Sequence, residues 1–136
     1  MSAHTMERAA ENAALVEAGY AAFAKGDMAA VEQAFDPECV WHAQRLGILG
    51  GDHRGYSAVL RFFGQTMEMT QGTFRLEIKE VLGNDSGAAV VVRSSARRGE
   101  RQLDDQQIHL LHLRNGRVIE VWQFVGDGPA VEAFWS

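Results

Sequence analysis

Apolar residues recur along this chain first at helical spacing and then at strand spacing. Over residues 6–25 an alanine-rich stretch carries Leu15, Val16, Tyr20 and Phe23 near a 3.6-residue period, and Ala, Glu and Leu all favour helix. Residues 1–5 ahead of it read as a loose tail, with Thr5 as its cap. Gly26 predicts a stop in the left-handed cap position. Asp27 then caps a short second helix over 28–35, closed by Asp36-Pro37 because the residue before proline is pushed out of the helical region. Residues 38–43 predict a short aromatic strand, and 44–52, with Gly47, Gly50 and Gly51, a loop. His53-Arg54-Gly55 leads into a third helix from Tyr56 to about Met69, with Val59, Leu60, Phe62, Phe63 and Met67 on its apolar side.

From residue 73 the period drops to two. Phe74, Leu76 and Ile78 alternate with Arg75, Glu77 and Lys79 over 73–82. After the turn 84–87, residues 88–97 predict a long strand. Then come two apolar runs, 108–113 and 118–125, around Asn115-Gly116, a strong hairpin signal. Gly126-Asp127-Gly128-Pro129 ends the sheet and leaves 130–136 as a short tail. Helices followed by a run of strands predict an α+β domain spanning 1–136. Its curved, mostly antiparallel sheet wraps around three N-terminal helices into a cone-shaped α+β barrel, whose open end is a natural ligand mouth.

The hairpin carries His109, His112, Glu120 and Gln123 in an otherwise apolar setting. Which of them face inward depends on the turn. A three-residue loop, Arg114-Asn115-Gly116, pairs Leu113 with Arg117 and puts His109 on the face of Val121 and Gln123. A two-residue loop, Asn115-Gly116, puts His109 with Trp122 instead. A one-residue slip exchanges the two faces. With the three-residue loop, Ile108, Leu110, Trp122 and Phe124 form a broad apolar outer face, which predicts a homodimer through the sheet.

Charge and cysteine usage narrow the classes. The net charge of −5 argues against a nucleic-acid surface, since phosphate binding needs a concentrated basic patch. The arginines at 93, 97, 98 and 101 are interleaved with Glu100, Asp104 and Asp105 and read as a solvated loop. One cysteine, Cys39, permits no internal disulfide, and a reducing cytoplasm is the simplest compartment. Charges at 7, 8, 11 and 17 interrupt any apolar leader core, and no run approaches a membrane span.

The stretch AGYAAFAKGDMAAVEQAFDPECVWHA, with a helix ending in Gly26-Asp27, resembles the opening of the nuclear-transport-factor-2-like superfamily. HRGYSAVLRFF resembles its third helix and LRNGRVIEVWQFVGD its last hairpin. Within that superfamily the chain is most similar to the SnoaL-like polyketide cyclases. The resemblance implies an inward acid/base pair, a histidine on the penultimate strand and an aspartate on the last. These positions fall on His109 and Gln123, so the carboxylate is absent. Against the ketosteroid isomerases, the tyrosine position falls on Gly19, the general base on Ala43 and the second oxyanion donor on His109.

His109 is the leading catalytic candidate, since imidazole serves as acid, base or oxyanion donor; a satisfied core histidine is the alternative. Gln123 can orient a carbonyl ligand or merely satisfy the sheet. Trp41, Tyr20, Phe63, Met67, His53 and Arg93 are the candidate ligand contacts, Arg93 for an anionic group. His42, His53, His109 and His112 show no metal-ligand spacing, and no metal or other cofactor is expected. The expected activity is proton transfer on an apolar carbonyl compound, as an isomerase, cyclase, hydratase or dehydratase. The alternative is a binding protein with the same cavity and no turnover.

Overall fold

The computed structural model describes residues 3–136. In chain order the elements are α1 (Ala3–Lys25), α2 (Met28–Ala34), β1 (Phe35–Ala43), a 3-10 turn (Gly47–Leu49), β2 (Gly51–Arg54), α3 (Tyr56–Met69), β3 (Arg75–Gly83), β4 (Gly87–Arg98), β5 (Arg101–Arg114), β6 (Arg117–Phe124) and α4 (Gly128–Trp135). One six-stranded sheet runs β2-β1-β6-β5-β4-β3, antiparallel except where β1 lies parallel to β6. The open sheet and its helices make the expected cone-shaped α+β fold. No helix among the described residues is long and apolar enough to cross a membrane.

The capping signals position the first elements. Asp27 accepts from the Ala30 amide at the start of α2, satisfying one of the free N–H groups there. Thr5 lies inside α1 rather than capping it, and of the predicted tail Met1 and Ser2 fall outside the described residues. The short helix stops one residue early: Phe35 is already extended and pairs with Val118 of β6. Pro37 sits in the irregular stretch of β1 between Phe35 and Val40, where the ladder does not need its missing N–H.

The C-terminal segment departs most from expectation. Residues 128–135 form α4, capped by the Asp127 carboxylate on the Ala130 amide, with proline in the first turn. Phe134 and Trp135 are buried. Arg98 and Arg101, expected in a solvated loop, donate to the carbonyls of Phe134 and Ser136 at 2.6 Å each. They hold the end of this helix, where cations are favoured by its dipole.

Two bulges set which side chains reach the core. In β3, an edge strand, the register shifts between Ile78 and Glu80, so Leu76 and Val81, five positions apart, are both half-buried, and Ile78 is exposed. The predicted alternation therefore holds only for the first half of that strand. In the last hairpin the turn is the two-residue Asn115-Gly116, with positive φ at both positions and Arg114 opposite Arg117. A bulge then follows: Leu113 pairs with Val118, but His112 pairs with Glu120, leaving Ile119 as the extra residue. Neither simple loop is correct alone. The short turn forms, and the bulge restores the parity of the longer one, placing His109 opposite Gln123.

Candidate functional site

The concave face of the sheet and helices α1, α2 and α3 enclose a cavity of about 280 Å³. Trp41, Phe62, Phe63, His109 and Gln123 contribute to its wall, and so does Tyr20 from α1. Leu15, Ala18, Gln33 and Gly116 also line it and are exposed, so the opening lies between the first two helices and the hairpin turn. No Asp, Glu, Lys or Arg is among the lining residues.

His109 is 1% exposed and its imidazole contacts two aromatic side chains. Its Nδ1 lies 2.5 Å from the Tyr20 hydroxyl, and its ring packs edge-on to Trp41 at 5.3 Å. Its Nε2 is buried without a hydrogen-bond partner. Burial lowers the His109 pKa to about 4 and raises that of Tyr20, so both are neutral near pH 7. The tautomer follows from counting donors. If the Tyr20 hydroxyl donates to Nδ1, only one donor, Nε2–H, is left over. If Nδ1 carried the proton instead, the tyrosine proton and the Nε2 lone pair would both lack partners. The first arrangement leaves fewer buried polar atoms unpaired and is the stable one.

Gln123 is bonded on both sides. Its Oε1 accepts from the Trp41 indole at 2.9 Å, and its Nε2 donates to Gln107 Oε1 at 2.9 Å. Gln107 donates in turn to Asp105 at 3.0 Å, whose carboxylate also accepts from the amides of Gly126 and Asp127. Gln107 and Asp105 were not singled out from the sequence. The signal was present, because Asp105, Gln107 and His109 fall on alternate positions of a strand whose other inward residues, Leu103 and Leu111, are apolar.

Three expected ligand contacts stand elsewhere. Arg93 projects from the outer face of β4, where it is exposed and paired to Asp104 through two bonds of 2.7 Å. Its neighbours Val92 and Ser94 take the inward positions. His53 stacks on Phe62 at 4.4 Å and bonds to the Leu49 carbonyl, outside the cavity wall. Met67 is half-buried but does not line the cavity, whereas Thr66 does. Tyr20, Trp41 and Phe63 do line it.

His42 and His112 belong to the outer face. His42 is bonded to Asp52 at 2.7 Å and to Glu120 at 2.5 Å and stacks on Trp122, which also touches His112. Burial alone would lower the His42 pKa, but the two carboxylates outweigh it and raise it. Among the described residues no three His, Cys, Asp or Glu side chains are grouped to hold a metal ion. Cys39 is buried and its thiol is pushed up to about 11 by burial and the charge of Asp36, so it is a poor nucleophile at neutral pH.

With this geometry in place, the comparisons agree on a class. Residues 16–121 match the SnoaL-like domain, and the chain belongs to that family. Uncharacterised proteins of Mycobacterium tuberculosis and Mycobacterium bovis are 32% identical over 123 residues, covering 90% of this chain and 94% of theirs. The structure of Bal32a, from a soil-derived mobile gene cassette, superposes with a TM-score of 0.91 at 35% identity, covering 95% of this chain and 99% of that one. An NTF2-like protein of Burkholderia xenovorans LB400 shares the fold with a TM-score of 0.80 at 19% identity, over 94% of this chain and 98% of its own.

Proposed function

We propose that this protein binds a small apolar carbonyl compound in its cavity and polarises the ligand oxygen through His109. The observation that carries the reading is the buried, unpartnered Nε2 of His109, a donor in the tautomer that Tyr20 favours, in a wall otherwise almost wholly apolar. Such a donor is costly to leave unmade and is satisfied when a ligand oxygen arrives. Negative charge developing on that oxygen, as in an enolate, would be stabilised by the same bond in a site that excludes water. Isomerisation, cyclisation, hydration and dehydration of carbonyl compounds all pass through such states, and membership of the SnoaL-like family supports this group of reactions.

A second reading is binding without turnover. It is favoured by Gln123 at the position where the SnoaL-like resemblance implies an aspartate, by Ala43 where the ketosteroid isomerase resemblance implies the general base, and by the depressed pKa of His109. None of the three holds a proton-accepting charge near pH 7. Tryptophan fluorescence separates the ideas, because Trp41 lines the cavity. Polycyclic ketones and phenolic enolate mimics are titrated into wild type and His109→Ala. Saturable binding weakened about tenfold by the substitution, the worth of one good hydrogen bond, supports polarisation through His109. Binding indifferent to it removes His109 from the role. A ketone recovered unchanged after long incubation selects the passive carrier.

A further inference from the structure

His109 and Gln123 are direct cross-strand partners, and both line the cavity. Partners of this kind have Cβ atoms about 5 Å apart, so one ligand can touch both. What Gln123 offers that ligand depends on which way its amide is turned, and both ends of its hydrogen-bond chain decide this. At one end the Trp41 indole can only donate, so it requires Gln123 Oε1. At the other end both oxygens of Asp105 accept from backbone amides, so Gln107 must present its Nε2 there. Gln107 Oε1 then faces Gln123 Nε2. Every link runs in one direction, from Trp41 to Asp105, and each bond polarises the next. Gln123 Oε1 keeps one lone pair free, and the residue paired with it across the strands, His109, has an unpaired Nε2.

We propose that the ligand is a neutral phenol or enol whose hydroxyl oxygen accepts from His109 Nε2–H and whose hydroxyl proton is donated to Gln123 Oε1. Asp105 is the positioning residue that fixes Gln123 in this orientation through Gln107. This rests on the reading of His109 as the cavity's donor and adds the second half of the recognition. Neutrality follows from the wall: with no charged side chain to pair it, an ionised ligand would be a buried, uncompensated charge.

Isothermal titration calorimetry on the full chain tests it with 2-naphthol, 2-methoxynaphthalene and naphthalene. The first donates and accepts, the second only accepts and the third does neither. Wild type is expected to bind the naphthol at least tenfold tighter than the ether, and the ether tighter than naphthalene. Gln123→Leu should bring the naphthol-to-ether ratio close to one. Asp105→Leu should lower the ratio, because it removes the acceptor that fixes the Gln107 amide. A purely structural role for Asp105 would lower the melting temperature and weaken both probes alike, leaving the ratio unchanged. Gln123→Leu leaves the bonds of Asp105 to the Gly126 and Asp127 amides in place, and it decides the matter if Asp105→Leu alone fails to fold.

Equal wild-type affinity for naphthol and ether, with both weakened by His109→Ala, overturns this inference and keeps the reading of His109. A ratio that survives Gln123→Leu makes the preference steric and also overturns it. Probe binding indifferent to His109→Ala overturns the underlying reading itself. Absence of saturable naphthol binding counts against the proposed ligand class.

Discussion

At the scale of single residues, the Tyr20–His109 contact governs what the cavity offers. Tyr20→Phe removes the donor that selects the Nδ1-acceptor tautomer and leaves a buried nitrogen unpaired. It is expected to cost about 1–3 kcal/mol in chemical denaturation and to weaken binding of ketone probes several-fold. An unchanged stability would mean that water satisfies Nδ1 instead. The His109 pKa has a further consequence. Its folded value of about 4 lies below its unfolded value of 6.5, so its contribution to stability is full above pH 6.5 and is lost as pH falls towards 4. The total is roughly 3 kcal/mol at about 1.4 kcal/mol per unit. Urea unfolding from pH 4 to 7 should show a steeper acid-side loss in wild type than in His109→Leu. His42 acts in the opposite direction. Its raised pKa makes the pairing with Glu120 and Asp52 fully effective below the unfolded value and lost as pH rises through the folded one.

At the scale of elements, the site depends on features that interrupt regular structure. The extra residue Ile119 makes His109 face Gln123 across a two-residue turn that would otherwise set it opposite Trp122. The hairpin itself was legible from Asn115-Gly116 between two apolar runs. The bulge was not, because an extra residue leaves no mark in an apolar alternation and is selected by packing on both faces. Helix α4 was hidden for a related reason. Eight residues are too few for local propensity to sustain a helix, and burial of Phe134 and Trp135 stabilises this one. Trp135→Ala is therefore expected to cost about 3–5 kcal/mol in thermal or urea unfolding. A loss near zero would mean that the segment is the free tail the sequence suggested.

At the scale of the whole molecule, the sheet has one face on the cavity and another turned away from it. Ile108, Leu110 and Phe124 are exposed there, with Trp122 half-buried beside His42 and His112. Apolar side chains gathered on one exposed face favour self-association, and a homodimer through this face remains our expectation. Light scattering behind size exclusion should give twice the 15.0 kDa chain mass, and Phe124→Lys should shift it towards one chain. A wild-type mass of one chain at micromolar concentration would refute the homodimer.

The sequence by itself determined the order and type of nearly all the elements, because helical and strand periods, Gly26-Asp27 and Asn115-Gly116 are local signals that a short window carries in full. It also put His109 and Gln123 forward, although only as one of two possible registers. Tertiary structure alone decided that register, through the bulge at Ile119, and moved Arg93, His53 and Met67 away from the cavity. It alone gave His109 its tautomer and lowered pKa, since both arise from burial and from a tyrosine 89 positions away in the chain. The chain from Trp41 to Asp105 belongs to the same category: hydrogen-bond direction is set by which donors and acceptors meet in space, and no period along the sequence encodes it.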